Sequence, residues 1–211
     1  RADAMEGRPA ASGAATPGSR FRYSFRGHVT LLDPEKGYGY KGTYLGEKKV
    51  FTIGGAYQIE PKVTYTDTVT LIRPRDYKAW TADAFFEYPT ESAGTVTLSG
   101  AYEKVDMGGA YQGATPDSGS LGLNGEKNGW YGKAGYLLPR TKLQFFGRYE
   151  RWRFASLNET IDEMVNWYGG GANYYVWGQS LKISAEFART KFDKGSGKNF
   201  NTLVTQVQLV F

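Results

Sequence analysis

The feature that most constrains the fold is an alternation of apolar and polar residues with a period of two, which recurs along the 211-residue chain. In one such segment Phe21, Tyr23 and Phe25 alternate with Arg22 and Ser24. Because successive side chains of a β-strand point to opposite faces, each segment predicts a strand with one apolar and one polar face. Nine strands are predicted, beginning near Phe21, Phe51, Thr81, Val96, Trp130, Leu143, Ala172, Leu181 and Thr202.

The composition agrees with an all-β fold. The chain has 28 Gly, 16 Tyr, 12 Phe and 5 Trp, and no Cys. Glycine weakens helices, whereas tyrosine and tryptophan favour strands and the water-facing margins of bilayers. Mean hydropathy is −0.50, and no apolar run approaches the roughly 18 to 20 residues of a membrane-spanning helix. Mean hydropathy does not detect strands that expose only alternate residues to lipid, so this value is compatible with a transmembrane β-barrel.

The connections between the predicted strands alternate between short and long. Tight turns are predicted at 88–93, 138–141 and 178–180, and long polar loops at 61–77, 106–127, 155–164 and 192–200. Aromatic residues recur near strand ends, at Tyr88, Tyr102, Trp130, Tyr149 and Trp177. Short periplasmic turns, long external loops and aromatic girdles are typical of outer-membrane barrels. Residues 20–211 are therefore predicted to form a transmembrane antiparallel up-and-down β-barrel in the bacterial outer membrane.

The last predicted strand ends on an aromatic residue. Leu203, Val207, Leu209 and Phe211 share its apolar face, and a terminal strand of this kind is typical of bacterial outer-membrane barrels. Val207, Leu209 and Phe211 are accordingly predicted to form a C-terminal assembly signal for the barrel-assembly machinery, with the C-terminus in the periplasm. At the other end, residues 1–19 are predicted to be a flexible N-terminal segment or an extracellular loop.

Residues 34–48 allow two interpretations. Tyr38, Tyr40, Gly42 and Tyr44 alternate with other residues, which predicts a tenth short strand and a closed, even-numbered barrel. Alternatively, the segment is a periplasmic connection. Nine strands then remain, the first enters from outside, and the chain is the C-terminal part of a larger barrel.

Several segments resemble a known family in order along the chain: residues 42–58, 76–83, 135–139, 142–150 and 172–175. They are similar to segments of the phosphate-selective porin O and P family. The resemblance implies a transmembrane barrel of 16 strands, often trimeric, that conducts small anions, and it covers only the C-terminal half of such a protein. The family's ladder of basic residues has no matching positions here, so phosphate selectivity is not carried over.

The polar faces of the strands carry charges of both signs. The residues predicted to line the pore are Arg22, Arg26, His28, Asp83, Glu87, Lys133, Arg148, Glu150, Lys182 and Glu186, with Glu60 and Glu103 on the same face. An Arg or Lys facing lipid at the bilayer midplane costs about 2 to 4 kcal/mol, so this face must be wet or paired. It is either a conducting wall or a charge network that closes a narrow lumen.

The predicted function depends on whether the polar face conducts or closes the lumen. The chain is predicted to be a porin-like channel for passive diffusion of small hydrophilic solutes or ions, with anions as the variant that the resemblance implies. The alternative is a structural barrel that anchors or sheathes a partner envelope protein. Expected partners are outer-membrane lipid and lipopolysaccharide, further copies in a homotrimer, or an envelope protein. No enzyme activity, cofactor, metal site or nucleic-acid partner is predicted, because His28 is the only histidine and the +5 charge forms no basic stripe in the sequence.

Overall fold

The structure is a computed structural model that describes residues 2–6, 21–35, 42–67, 72–90, 92–110, 125–156, 163–193 and 197–210. These residues form ten strands: β1 (Ala2–Glu6), β2 (Phe21–Thr30), β3 (Val50–Asp67), β4 (Ile72–Thr90), β5 (Gly94–Asp106), β6 (Glu126–Leu137), β7 (Leu143–Ser156), β8 (Glu163–Trp177), β9 (Leu181–Phe192) and β10 (Phe200–Leu209). Within the described residues, no helix is long and apolar enough to cross a membrane.

The ten strands form one antiparallel sheet in which each strand pairs with the next along the chain. This up-and-down order confirms the predicted all-β architecture. Between the described residues β1 and β10 do not pair with each other, so the sheet is not closed there. The nine strands predicted from alternation correspond to β2 through β10.

The tenth strand lies where it was not predicted. Ala2–Glu6, within the 1–19 stretch, pairs with β2 as β1. Of the two interpretations of residues 34–48, the strand is wrong for the residues that the structure describes, because Gly42–Lys49 belongs to no strand and connects β2 to β3. Leu45 and Gly46 have φ angles of 57° and 84°, which an extended strand cannot contain. Residues 36–41 lie outside the described residues.

The strands also extend further than the alternation indicated. The predicted loop at 61–77 is wrong, because β3 continues to Asp67 and β4 begins at Ile72. A bulge between Glu60 and Thr64 interrupts the register, which removed the period-two signal without ending the strand. The other three long connections are shorter than predicted, at 107–125, 157–162 and 193–199.

The strand register sorts the side chains into two faces. Arg26 and Asp83 lie on one face, opposite Ala56 and Gly54, whereas Phe25 and Ile53 lie on the other. The face that carries Arg26 contains most of the buried side chains, and the other face carries most of the exposed large apolar ones. We call the face that carries Arg26 the concave face and the other the convex face. The contacts of one peptide group show that the sheet is curved in this sense.

That group joins Thr43 to Tyr44. Its N–H donates to both carboxylate oxygens of Glu87 on β4, at 3.0 and 2.9 Å, and its carbonyl oxygen accepts from Nε2 of Gln179, in the turn after β8, at 2.9 Å. In a flat sheet β4 and β8 are four spacings of about 4.8 Å apart. Two side chains cannot meet on one peptide group over that width, so the sheet is strongly curved.

One glycine is required by close packing between β8 and β9. A Cβ atom built on Gly171 would overlap the carbonyl oxygen of Ala185 and lie 2.9 Å from Cα of Glu186. Gly147, in contrast, lies on the convex face of β7, and its nearest neighbour would be 4.0 Å from such a Cβ. The glycines at 169–171 therefore include at least one that marks close backbone packing.

We expect Gly171→Ala to lower the free energy of unfolding by about 1 to 3 kcal/mol, the usual cost of overpacking. Gly147→Ala is the matched control, a glycine in the neighbouring strand, and should change it by less than about 0.5 kcal/mol. Urea unfolding followed by tryptophan fluorescence measures both. Equal stabilities would contradict the proposed steric role of Gly171.

Candidate functional site

The register places all ten residues predicted to line a pore on the concave face: Arg22, Arg26, His28, Asp83, Glu87, Lys133, Arg148, Glu150, Lys182 and Glu186. Their burial differs. His28 is exposed near the β2 edge of the sheet, most of the others are half-buried, and Glu87 is completely buried. Glu87 is therefore inaccessible in this structure although it lies on the concave face, and the predicted pore-lining role of the ten residues stays a prediction.

Two ion pairs connect β2 to β3 and β4. Arg22 donates to Oε2 of Glu60 from Nε and Nη2, at 2.9 and 2.7 Å, and its guanidinium lies 4.3 Å from the ring centroid of Tyr77. Arg26 reaches past β3 to Asp83 on β4, with N–O distances of 2.8 and 2.9 Å. Such paired, charge-assisted hydrogen bonds are among the stronger polar contacts in proteins.

The Arg26–Asp83 pair depends on Gly54, which lies directly beneath it on β3. A Cβ atom at this position would lie 2.8 Å from Oδ1 of Asp83 and 3.1 Å from Nη2 of Arg26. The glycine thus leaves the space that the two side chains need to meet across an intervening strand. In this sector cations and carboxylates neutralise one another.

The sector from β6 to β9 has a different arrangement. Arg148 pairs with Glu150 on its own strand at 3.0 Å, and its guanidinium lies 3.9 Å from the ring centroid of Trp167. Lys133 lies over the ring of Phe146 at 4.6 Å. Lys133 and Lys182 both line a cavity of about 80 Å³ on the concave face.

A polar network forms the wall of the same cavity. Gln144 Oε1 accepts from Nδ2 of Asn173 at 3.0 Å and from the hydroxyl of Tyr175 at 2.7 Å. Ser184 donates in turn to Oδ1 of Asn173 at 2.7 Å. Sequence alternation placed Gln144, Asn173 and Tyr175 on the polar face, but nothing in it showed that they would meet, because Gln144 comes from β7 and the other two residues come from β8.

One end of the concave face is covered by residues Gly42–Lys48, which we call the inward segment. Glu87 holds it, since its carboxylate accepts from the backbone N–H groups of Tyr44 and Gly46 and from the hydroxyl of Thr97. The Tyr44 ring packs edge-on against Phe85, at 6.3 Å between centroids. The segment lies at the end of the sheet where the short turns are found.

The phenol of Tyr44 adds a further contact. It donates to Oε1 of Glu35 at 2.7 Å, and the hydroxyl of Thr52 donates to the other oxygen of the same carboxylate. Burial, together with the hydrogen bond to Glu35, raises the pKa of Tyr44 above its ordinary value. The stability that the neutral phenol contributes is therefore complete below the ordinary tyrosine pKa, about 10, and is lost only as the pH rises through the higher folded value.

The opposite end is also covered. Met107 and Ala110, just after β5, are buried against Ala79 and Val105, and Oε1 of Glu126 accepts from the backbone N–H groups of Met107 and Gly109 at 3.1 and 2.7 Å. A carboxylate thus anchors a chain segment at each end of the sheet.

The concave face offers charges and hydrogen-bonding groups. Among the described residues, no group of three or more His, Cys, Asp or Glu side chains could hold a metal ion. The arrangement can orient or exclude small polar solutes between its two sectors.

No family model, curated protein or solved structure matches the chain. The resemblance to the phosphate-selective porin O and P family therefore stays a prediction. Among the residues of the predicted assembly signal, Val207 and Leu209 lie exposed on the convex face, and Phe211 lies outside the described residues.

We expect Glu87→Ala to release the inward segment, because it leaves the N–H groups of Tyr44 and Gly46 without their acceptor, at about 1 to 3 kcal/mol for each buried donor. Hydrogen exchange of these two amides should accelerate at least about tenfold. Thr97→Val, which removes only one of the four hydrogen bonds to Glu87, should have a smaller effect. Unchanged protection in Glu87→Ala would contradict the anchoring role.

Proposed function

We propose that the chain forms a β-barrel wall in the bacterial outer membrane, through which small hydrophilic solutes or ions diffuse passively. The observation that carries this proposal is the opposite character of the two faces of one sheet. The convex face is apolar and exposed, whereas the concave face bears the ion pairs and the polar cavity.

Exposure of the convex face supports a lipid environment. Phe21, Phe145, Phe187, Leu203 and Val207 are all more than half exposed, and they lie on several strands across the sheet. Soluble proteins rarely expose contiguous apolar patches larger than a few hundred Å². Lipid would cover such a face without the cost of placing it in water.

Two rows of aromatic side chains cross the convex face. The row nearer the long loops contains Tyr57, Trp80, Tyr102, Trp130, Tyr149 and Tyr168, on six successive strands. Three neighbouring pairs of its rings are in contact, with centroid distances of 5.0 Å for Trp80–Tyr102, 5.0 Å for Trp130–Tyr149 and 4.9 Å for Tyr149–Tyr168. We call this set the upper aromatic row.

The second row, nearer the short turns, includes Phe51, Tyr88 and Tyr136. On β3, β4 and β6 the two rows are six to eight residues apart, about 20 to 26 Å along a strand. The apolar band of outer-membrane barrels is about 25 Å tall and is flanked by aromatic girdles. The two rows are spaced for the two interfaces of a bilayer, which would place the short turns and the C-terminus in the periplasm.

The concave face would then form the wall of the lumen. Arginine and lysine are costly against lipid, and the curvature keeps Arg22, Arg26 and Arg148 away from it. The sector from β2 to β4 is neutralised by ion pairs. In the sector from β6 to β9 three cations, Lys133, Arg148 and Lys182, share the face with two carboxylates, Glu150 and Glu186, and only Arg148 and Glu150 form an ion pair there among the described residues. These three cations are best placed to act on a passing solute. These three cations favour the passage of anions over the passage of cations.

A structural barrel is the second candidate. It is favoured by the inward segment and by Met107–Ala110, which cover the two ends of the concave face. In this alternative the barrel anchors or sheathes an envelope partner and does not conduct. The purified chain would then give no single-channel steps in a planar bilayer and would copurify with a partner.

Charge reversal at Arg148 distinguishes the two candidates. In a planar bilayer under a salt gradient, wild-type protein should give single-channel steps, and Arg148→Glu should shift the reversal potential towards cation preference by at least about 10 mV, because a charge is reversed beside the permeation path. Lys49→Glu is the control, with the same change of charge in an exposed residue whose ammonium lies 5.2 Å from the ring centroid of Tyr88. Steps with no shift at Arg148 remove this residue from the pore, and absence of steps favours the structural barrel.

A further inference from the structure

We propose that basic residues on the convex face at the long-loop end bind the phosphate groups of anionic lipid in the outer leaflet. The inference rests on the proposed location in an outer membrane and adds a specific lipid contact to it. The residues, which we call the basic belt, are Lys78, Lys104, Arg151, Arg153, Arg189 and Lys191.

The belt is assembled by strand register rather than by sequence. Across β5 to β9, Lys104 lies opposite Asn128, Asn128 opposite Arg153, and Arg151 opposite Asn166. Asn166 in turn lies opposite Lys191. Cations and amide side chains therefore form a continuous band over five neighbouring strands, although their positions are far apart in the chain.

The belt lies directly beyond the upper aromatic row. Lys104 follows Tyr102 by two residues, and Arg151 follows Tyr149 by two, which is about 7 Å along a strand. Arg189 is directly opposite Tyr168 in the register, and the ammonium of Lys191 lies 5.5 Å from the centroid of the same ring. If this row marks the membrane interface, the belt lies at the level of the lipid headgroups.

The geometry of these side chains suits phosphate. Arginine and lysine can lay their aliphatic stems along apolar surface and extend the charged group to the headgroups, and the guanidinium fork matches two phosphate oxygens. Arg151, Arg189 and Lys191 are exposed. The neighbouring Asn128 and Asn166 supply further amide donors at the same level.

Charge balance favours an anionic partner. The described carboxylates on the convex face at this end are Asp76, Asp106, Glu126 and Asp193, against six cations. Glu126 accepts from the backbone N–H groups of Met107 and Gly109. Asp76 already lies 3.9 Å from Lys78, and Asp106 accepts a hydrogen bond from the N–H of Gly108 at 2.9 Å. The expected partner is a lipid, because the belt lies next to the upper aromatic row and on the convex face, away from the cavity of the concave face.

The test compares two triple variants with the same loss of charge in the full chain refolded in zwitterionic detergent. One is Arg151→Gln, Arg189→Gln and Lys191→Gln in the belt. The control is Lys49→Gln, Arg140→Gln and Lys142→Gln, which removes three cations at the short-turn end. The probes are diphosphoryl lipid A and the same lipid with both phosphates removed, titrated at low salt with tryptophan fluorescence as the readout and circular dichroism as the check of folding.

Wild-type protein should bind diphosphoryl lipid A more tightly than the dephosphorylated lipid. The belt variant should bind it roughly a hundredfold more weakly, since each cation near a charged membrane surface contributes about fivefold, and the control variant should stay within about threefold of wild type. Equal losses in both variants, or no phosphate preference in wild type, would overturn the proposal. If wild type conducts in a bilayer yet shows no phosphate preference, the belt alone is wrong, whereas a wild type that never inserts overturns the proposed function and the belt with it.

Discussion

Each paired β-strand has two distinct faces, and the division of this sheet into an apolar and an ionic side follows from that geometry. Every strand from β2 to β9 is hydrogen-bonded on both sides, so a slip of one residue would exchange all of its convex and concave side chains. Arg26 and Asp83 would then face outwards, and Phe25 and Ile53 inwards. The apolar and ionic faces are therefore consequences of one register.

The interior that results is polar. Among the described residues its buried apolar clusters are small, one around Met107 and one around Tyr44 and Phe85. Between them lie ion pairs, the Gln144 network and the buried carboxylate of Glu87. Removing one partner from a buried pair leaves an uncompensated charge, which is more costly than the pair is worth. The concave face is thus stabilised by pairing of its polar groups. This pairing differs between the sector from β2 to β4 and the sector from β6 to β9, so the two sectors differ in electrostatic character.

The convex face is organised in layers along the strands. A band of apolar and small residues lies between two aromatic rows, and beyond the upper row lies the basic belt. Such an order of hydrocarbon-like, interfacial and charged groups corresponds to the profile of a bilayer leaflet. The concave face carries no comparable order along the strands, since its ion pairs and its cavity are arranged around the curve of the sheet.

Much of the architecture could be predicted from the sequence, because period-two alternation is a local property and strand sidedness follows from it. It determined nine of the ten described strands, the short turns and the face of the charged residues that were predicted to line a pore. It missed β1, which is only five residues long, and the continuation of β3 and β4, where a bulge breaks the alternation.

Tertiary structure alone decided which polar residues meet. The pairing of Arg26 with Asp83, the anchoring of Tyr44 by Glu87, the contact of Thr43 with Gln179 and the assembly of the basic belt all join residues that are distant in the chain. Curvature and register bring them together, and neither is encoded in a local pattern. The sequence by itself therefore determined what each face is made of, whereas the folded sheet determined what its side chains can do together.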